Sequence, residues 1–236
     1  MKVVILAGGK GTRAYPHTET IPKAMMQIGG LPIIMHVMQI FADQGFREFV
    51  LSLGWRKEVI FDYFDGLKTN WQVDLIDTGV ETDTGGRIEK CKHLLGDTFI
   101  ATYADGLCDV PLHQLIEFHH RQRGLATVTS TPLRSQFGTV VTDAEGCILE
   151  FAEKPILREH WINSGFIVFD KEVFHHWQGT NLEQHILPKL ARQNRIFAYK
   201  HDGFFKSMDT HKDQLEFEQL CQLGDMPWKK VGRQAA

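Results

Sequence analysis

The sequence has no excess of positive charge, no paired cysteines and no long apolar run, and each gap excludes a class of function. Its 26 Lys and Arg fall short of its 29 Asp and Glu. With a net charge of −3 and no basic stripe to offset it, no nucleic-acid partner is expected. The four cysteines (Cys91, Cys108, Cys147, Cys221) stand far apart with no C-x-x-C pair. That pattern suggests neither a zinc site nor a disulfide framework, and fits a reducing cytosol. No apolar run nears the roughly 18 residues of a spanning helix. The chain enters an apolar strand at once, leaving no stretch for a signal peptide. The expectation is a cytoplasmic protein with no membrane partner. Histidine is plentiful, with 12 residues, but H-E-x-x-H does not occur. The adjacent pairs His119-His120 and His175-His176 point about 100° apart on a helix, so they read as structural or solvated.

What is present begins at the N-terminus. Val3 to Ala7 is an unbroken apolar run followed directly by glycines, the pattern of a strand buried on both faces that ends in a loop. Gly8, Gly9 and Gly11 remove the Cβ atoms that would keep an anion off the main-chain N–H groups. Arg13 adds a fork of donors suited to phosphate, and Lys23 a second positive charge. Gly9-x-Gly11-x-x-Ala14 meets the loose dinucleotide fingerprint, but Pro16 follows too soon for the helix that fingerprint needs. Gly9-Lys10-Gly11 lacks the Ser or Thr of a P-loop. A plain tight turn after a strand remains the alternative.

At 236 residues the chain suits a single α/β domain, residues 1–236, with no linker to split it. Periodicity predicts a helix over 33–41 closed by Gly45, a strand over 49–53, a helix over 57–64 and a strand over 73–76. That β-α-β-α-β rhythm marks a doubly wound, mostly parallel sheet with ligands at the carboxyl ends of its strands. A loop over 77–86 leads to a helix expected over 87–95, where Arg87 reads equally as a surface charge. Residues 98–103 form another strand, ending in Asp105. Asp105 is either a metal ligand or part of an Asp-Gly turn, and Asp109 is expected to cap a helix over 112–123. Residues 126–131 form a strand, and 137–142 with 147–151 a hairpin, the core of a small antiparallel subdomain. Asn163 is expected to start a strand over 165–169, Pro188 to break a helix over 182–193, and 196–199 to form a strand. Asp209 follows a further strand, and a last helix spans about 211–223.

Leu6-Ala-Gly-Gly-x-Gly-Thr-Arg13, Pro22-Lys23 and Gly29-Gly30-x-Pro32 together resemble the sugar-1-phosphate nucleotidyltransferases. Asp83 to Ile88, Ile162 to Phe166, Met208-Asp209-Thr210 and Met226 to Lys229 bring the likeness nearest to the cytidylyl branch, over residues 1 to about 229. The resemblance implies a Rossmann-like fold with a nucleotide half over about 1–131 and sugar-side elements over about 132–210. It implies transfer from a nucleoside triphosphate, CTP in that branch, to a sugar 1-phosphate, usually glucose 1-phosphate, giving a CDP-sugar and pyrophosphate.

The same resemblance puts Leu6, Ala7, Gly8, Gly9, Gly11, Thr12, Arg13 and Lys23 at the nucleotide's phosphates, and Thr84, Gly86 and Arg87 at its base and ribose. Asp105 and Asp209 would bind Mg²⁺, and Gly138, Glu153, Lys154 and Asn163 the sugar phosphate. Arg13, Lys23, Asp105 and Asp209 form the implied catalytic set. Glu153-Lys154 reads otherwise as a solvated loop, and Asn163 as an ordinary turn residue. The likeness leaves open another nucleotide (UTP, dTTP or GTP), another phosphorylated acceptor, and a homo-oligomer. It also leaves open a nucleotide-sensing subunit without turnover, against which the intact Arg13, Lys23, Asp105, Lys154 and Asp209 argue. The family carries a longer excursion where this chain passes from Phe64 to Val73, and Gly where it has Ala104 and Ser164.

Overall fold

Strand β1 (Lys2–Leu6) is buried on both faces, with Val3, Val4 and Ile5 fully excluded from solvent. Strand side chains alternate, so Val3 and Ile5 enter one core while Val4 enters the other. The structure, a computed structural model, describes residues 1–230, with the side chains of Arg13 and His17 outside that description. After β1 the chain forms α1 (Ile33–Ala42), β2 (Glu48–Leu53), α2 (Lys57–Asp65), β3 (Gln72–Asp77) and α3 (Thr84–Cys91). Then come β4 (Thr98–Tyr103), β5 (Gly106–Cys108), α4 (Leu112–Gln122) and β6 (Ala126–Arg134). The hairpin β7 (Thr139–Thr142) and β8 (Ile148–Ala152) leads into β9 (Ile156–Asp170). The chain ends with α5 (Leu187–Arg192), β10 (Ile196–Lys200), β11 (Phe205–Ser207) and α6 (His211–Gln222).

The main sheet has the order β10-β6-β9-β4-β1-β2-β3. Every neighbouring pair in it is parallel except those made by β9, which runs antiparallel to β4 and β6. One face carries Ile33, Ile34, Val37 and Phe41 of α1, with Leu112 and Leu115 of α4 and Phe217 of α6. The opposite face carries Ile88 and Cys91 of α3 and Leu190 of α5. Helices on both faces leave the carboxyl ends of β1 and β4 as the open crevice of a doubly wound sheet. Among the described residues, no helix is long and apolar enough to cross a membrane.

Three elements differ from expectation, each for a local reason. Helix α3 begins at Thr84 rather than Arg87, so Gly85 and Gly86 lie inside its first turn. A Cβ on Gly85 would collide with Ile186 and the Thr180 carbonyl, so these glycines permit close packing rather than break a helix. Asp109 does not cap α4. Its Oδ1 accepts from His201 Nε2 at 2.6 Å and Phe204 N at 2.7 Å, while Gln44 Oε1 takes the Leu112 N–H. Asn163 does make a turn, its Oδ1 accepting from Gly165 N at 2.8 Å, but as a bulge inside β9. The break before Pro188 is present: a π turn over Leu182–Ile186 precedes α5.

Candidate active site

A cleft of about 480 Å³ opens at the carboxyl ends of β1 and β4. Leu6, Ala7, Gly8, Gly9 and Gly11 form one wall, and Thr84 and Arg87 stand on the other; Tyr103 and Asp105 close the end. Thr12 begins the short 3-10 turn beyond the loop, and the predicted phosphate role of Arg13 rests on a side chain outside the described residues. Gly11 needs its glycine: φ is 62°, and Lys23 and Thr18 crowd the place of a Cβ. The loop is held by its own carbonyls. Gly8 O accepts from Trp55 N at 3.0 Å, and Gly11 O from Thr18 Oγ1 at 2.9 Å.

Lys23 and the two predicted metal carboxylates meet at one point. Its Nζ lies 2.5 Å from Asp105 Oδ2 and 2.9 Å from Asp209 Oδ1. The antiparallel ribbon of β5 and β11 brings the carboxylates together, Ser207 standing opposite Gly106 and Met208 N donating to Asp105 O at 2.9 Å. Asp209 is mounted on the start of α6, where Asp213 Oδ2 accepts from Asp209 N at 3.1 Å and Thr210 N at 2.8 Å. Asp213 in turn accepts from Lys206 at 3.0 Å; that bond and those from Thr210 hold its carboxyl below the usual range, against desolvation by burial, the largest influence. Two carboxylates converging on a single cationic position suit a hard divalent ion such as Mg²⁺.

On the opposite wall, Gly86 N is committed to Thr180 O at 2.8 Å and Thr84 Oγ1 donates to Glu183 Oε2 at 2.7 Å. Arg87 is not a surface charge: it is 4 % exposed. Its guanidinium donates to Leu53 O, Thr78 Oγ1, Gly8 O and Val80 O.

Tyr103 and Glu183 carried no signal in the sequence beyond the position of Tyr103 at a strand end. Tyr103 OH donates to Glu183, and Asn163 Nδ2 reaches Tyr103 OH at 3.4 Å. Burial and the adjacent Glu183 push the Tyr103 hydroxyl far up, so it stays protonated. The chain Thr84–Glu183–Tyr103–Asn163 thus joins the wall predicted to meet the nucleotide to a residue predicted to meet the sugar. The other residues predicted to bind the sugar phosphate, Gly138, Glu153 and Lys154, stand apart from the cleft wall, beside the β7–β8 hairpin. Lys154 Nζ is 3.5 Å from Glu153 Oε1, both well exposed, and a Cβ on Gly138 would press on Phe151 and Glu153.

A family model described as Nucleotidyl transferase matches residues 2–232. The chain is similar to the Bacillus subtilis protein named "Probable glucose-1-phosphate cytidylyltransferase", at 37% identity over 97% of this chain and 99% of that one. It is similar at 34% identity, with the same coverage, to the glucose-1-phosphate cytidylyltransferase of Salmonella typhimurium. Among solved structures it resembles a UDP-glucose pyrophosphorylase complexed with UDP-glucose, with a TM-score of 0.73 and 21% identity over 94% of this chain and 98% of that one. HddC from Yersinia pseudotuberculosis, complexed with GMP-PN, gives 0.71 and 24% over 92% and 98%. At those identities the structural likeness speaks for the fold: a mixed α/β architecture on a large, mostly parallel sheet.

Proposed function

The chain belongs to the nucleotidyl transferase family and is an enzyme of sugar 1-phosphate nucleotidyl transfer, and on that premise we propose that it joins CTP to glucose 1-phosphate. A phosphate oxygen of the sugar phosphate attacks the α-phosphorus. The bond from that phosphorus to the bridging oxygen breaks, and pyrophosphate leaves with the electron pair. The attacking monoester is already anionic near neutral pH, so no side chain has to remove a proton. What the protein must supply is alignment of two polyanions and relief of their repulsion, which is large in a low-dielectric cleft.

The observation that carries this reading is the meeting of Lys23 with Asp105 and Asp209 beside a glycine loop. Lys23 and Arg13 hold the triphosphate against the loop of Leu6, Ala7, Gly8, Gly9, Gly11 and Thr12. Thr84 and Gly86 form the base and ribose side, while Arg87 is turned into the protein beneath the glycine loop. Lys154 binds the sugar phosphate beside Gly138, and Glu153 and Asn163 read its hydroxyls. Asp105 and Asp209 would hold Mg²⁺, which when bound supplies charge neutralisation at the triphosphate.

Phosphorus NMR of the chain with CTP, Mg²⁺ and glucose 1-phosphate tests the reading. Paired growth of pyrophosphate and a sugar-nucleotide diphosphate resonance is expected. Release of inorganic phosphate instead, or no change, contradicts it.

A further inference from the structure

Arg87 spends its guanidinium donors on the protein, the Gly8 carbonyl of the glycine loop among them. Nη1 donates to Leu53 O at 3.0 Å and Thr78 Oγ1 at 2.7 Å, and Nη2 to Gly8 O at 2.9 Å and Val80 O at 3.2 Å. These acceptors come from the end of β2, the 78–83 loop and the glycine loop. The guanidinium's flat fork suits such bridging, which a lysine's point charge does not. All four acceptors are neutral, and the carboxylates of Asp77 and Asp83 act on the guanidinium through space. Hydrogen bonds to neutral groups make a buried charge tolerable without cancelling it, so a fixed positive charge lies under the phosphate loop. The fit is close: a Cβ on Gly8 would overlap Nη1 and Cζ, and one on Gly54 would crowd Nη1.

We propose that Arg87 is a positioning residue for the triphosphate: it fixes the Gly8 carbonyl, and through it the set of the glycine loop, without reading the base. The proposal rests on the nucleotidyl-transfer reading above. Its consequence is a loss that follows the phosphates and ignores both the base and the sugar.

The test compares wild type with Arg87→Lys and Arg87→Met in the full chain. Pyrophosphate release is followed with CTP and with UTP, each as substrate or competitor, and with glucose 1-phosphate varied separately. Calorimetry with inorganic tripolyphosphate supplies a probe that has no base. In both variants CTP and UTP should weaken by one common factor of ~10- to 100-fold, as expected for a misplaced binding loop. Tripolyphosphate should weaken alongside, while KM for glucose 1-phosphate stays within about twofold. Unequal losses for CTP and UTP would mean that Arg87 touches the base, and equal rises in KM for both substrates would mean general damage; either result overturns the proposal. If Arg87→Met fails to fold, Arg87→Lys and Thr78→Val, which removes one acceptor, decide by the same pattern. If wild type turns over no nucleotide, the reaction reading falls, and the tripolyphosphate affinities of wild type and Arg87→Lys alone decide the role of Arg87: unequal supports it, equal overturns it.

Discussion

Lys23 donates to Asp105 across 2.5 Å, joining the segment after the glycine loop to a strand end 82 positions later. The same ammonium reaches Asp209 at 2.9 Å, so one lysine offsets two carboxylates that would otherwise repel each other. It occupies the position where a metal cation is proposed to bind. Replacing Lys23 with Met should therefore tighten Mn²⁺ binding to the nucleotide-free chain while abolishing most turnover. Titration calorimetry with Mn²⁺ checks this, and unchanged or weaker binding would show that the carboxylates do not form the metal site.

Removing one carboxylate should leave the fold intact and damage the chemistry. Loss of a single preorganised electrostatic contact costs about a hundredfold or more in turnover. Asp105→Asn and Asp209→Asn should each show at least that, with an unchanged circular dichroism spectrum. A folded Asp105→Asn chain with near-native turnover would remove this residue from the proposed metal site.

Lys154 is exposed on the hairpin side, with φ at 48° and Glu153 Oε1 3.5 Å from its ammonium. Its proposed work is on the sugar phosphate. Lys154→Ala should raise KM for glucose 1-phosphate at least about tenfold, the scale of a lost charge-assisted bond of 1.5–3 kcal/mol, with little change in KM for CTP. Equal effects on both constants would place the lysine outside that role.

A stability effect is expected from His119, which is 3 % exposed and within 2.9 Å of Thr127 Oγ1. Burial, reinforced by neighbouring His120 and opposed by Asp170, lowers its pKa from 6.5 to about 4. Between those values the unfolded chain binds a proton that the folded chain does not. Stability is therefore fullest above the unfolded pKa of 6.5 and is lost as pH falls towards 4. Across that window wild type should lose up to about 3 kcal/mol more than His119→Gln, measured by urea unfolding. Parallel pH profiles would mean that His119 takes up its proton equally in the folded and unfolded chains.

Much of this was legible because short-range signals agreed. The apolar run Val3 to Ala7 before glycines reads as a strand buried on both faces, and the carboxylates at residues 105 and 209 followed strands. What stayed hidden depends on partners far along the chain. Gly85 and Gly86 look like helix breakers until Thr180 and Ile186 are packed against them. Asp109 looks like a helix cap until His201 arrives from 92 positions away. Arg87 gave no sign of burial, since most of its acceptors are main-chain carbonyls, which leave no mark on a sequence. Glu183 meets Tyr103 across 80 positions, and nothing local to either residue announces the pair.

The identity of the two substrates is tested directly by pyrophosphate release for CTP, UTP, GTP and dTTP, each crossed with several sugar 1-phosphates. CTP and UTP differ at ring position 4, an amino donor against a carbonyl acceptor. A protein acceptor matched to the amino group goes unpaired against uracil, which costs about 1–3 kcal/mol. CTP with glucose 1-phosphate should show the highest kcat/KM, with a preference over UTP of roughly five- to a hundredfold. If GTP or dTTP outruns CTP with every sugar phosphate tried, the cytidylyl assignment is wrong.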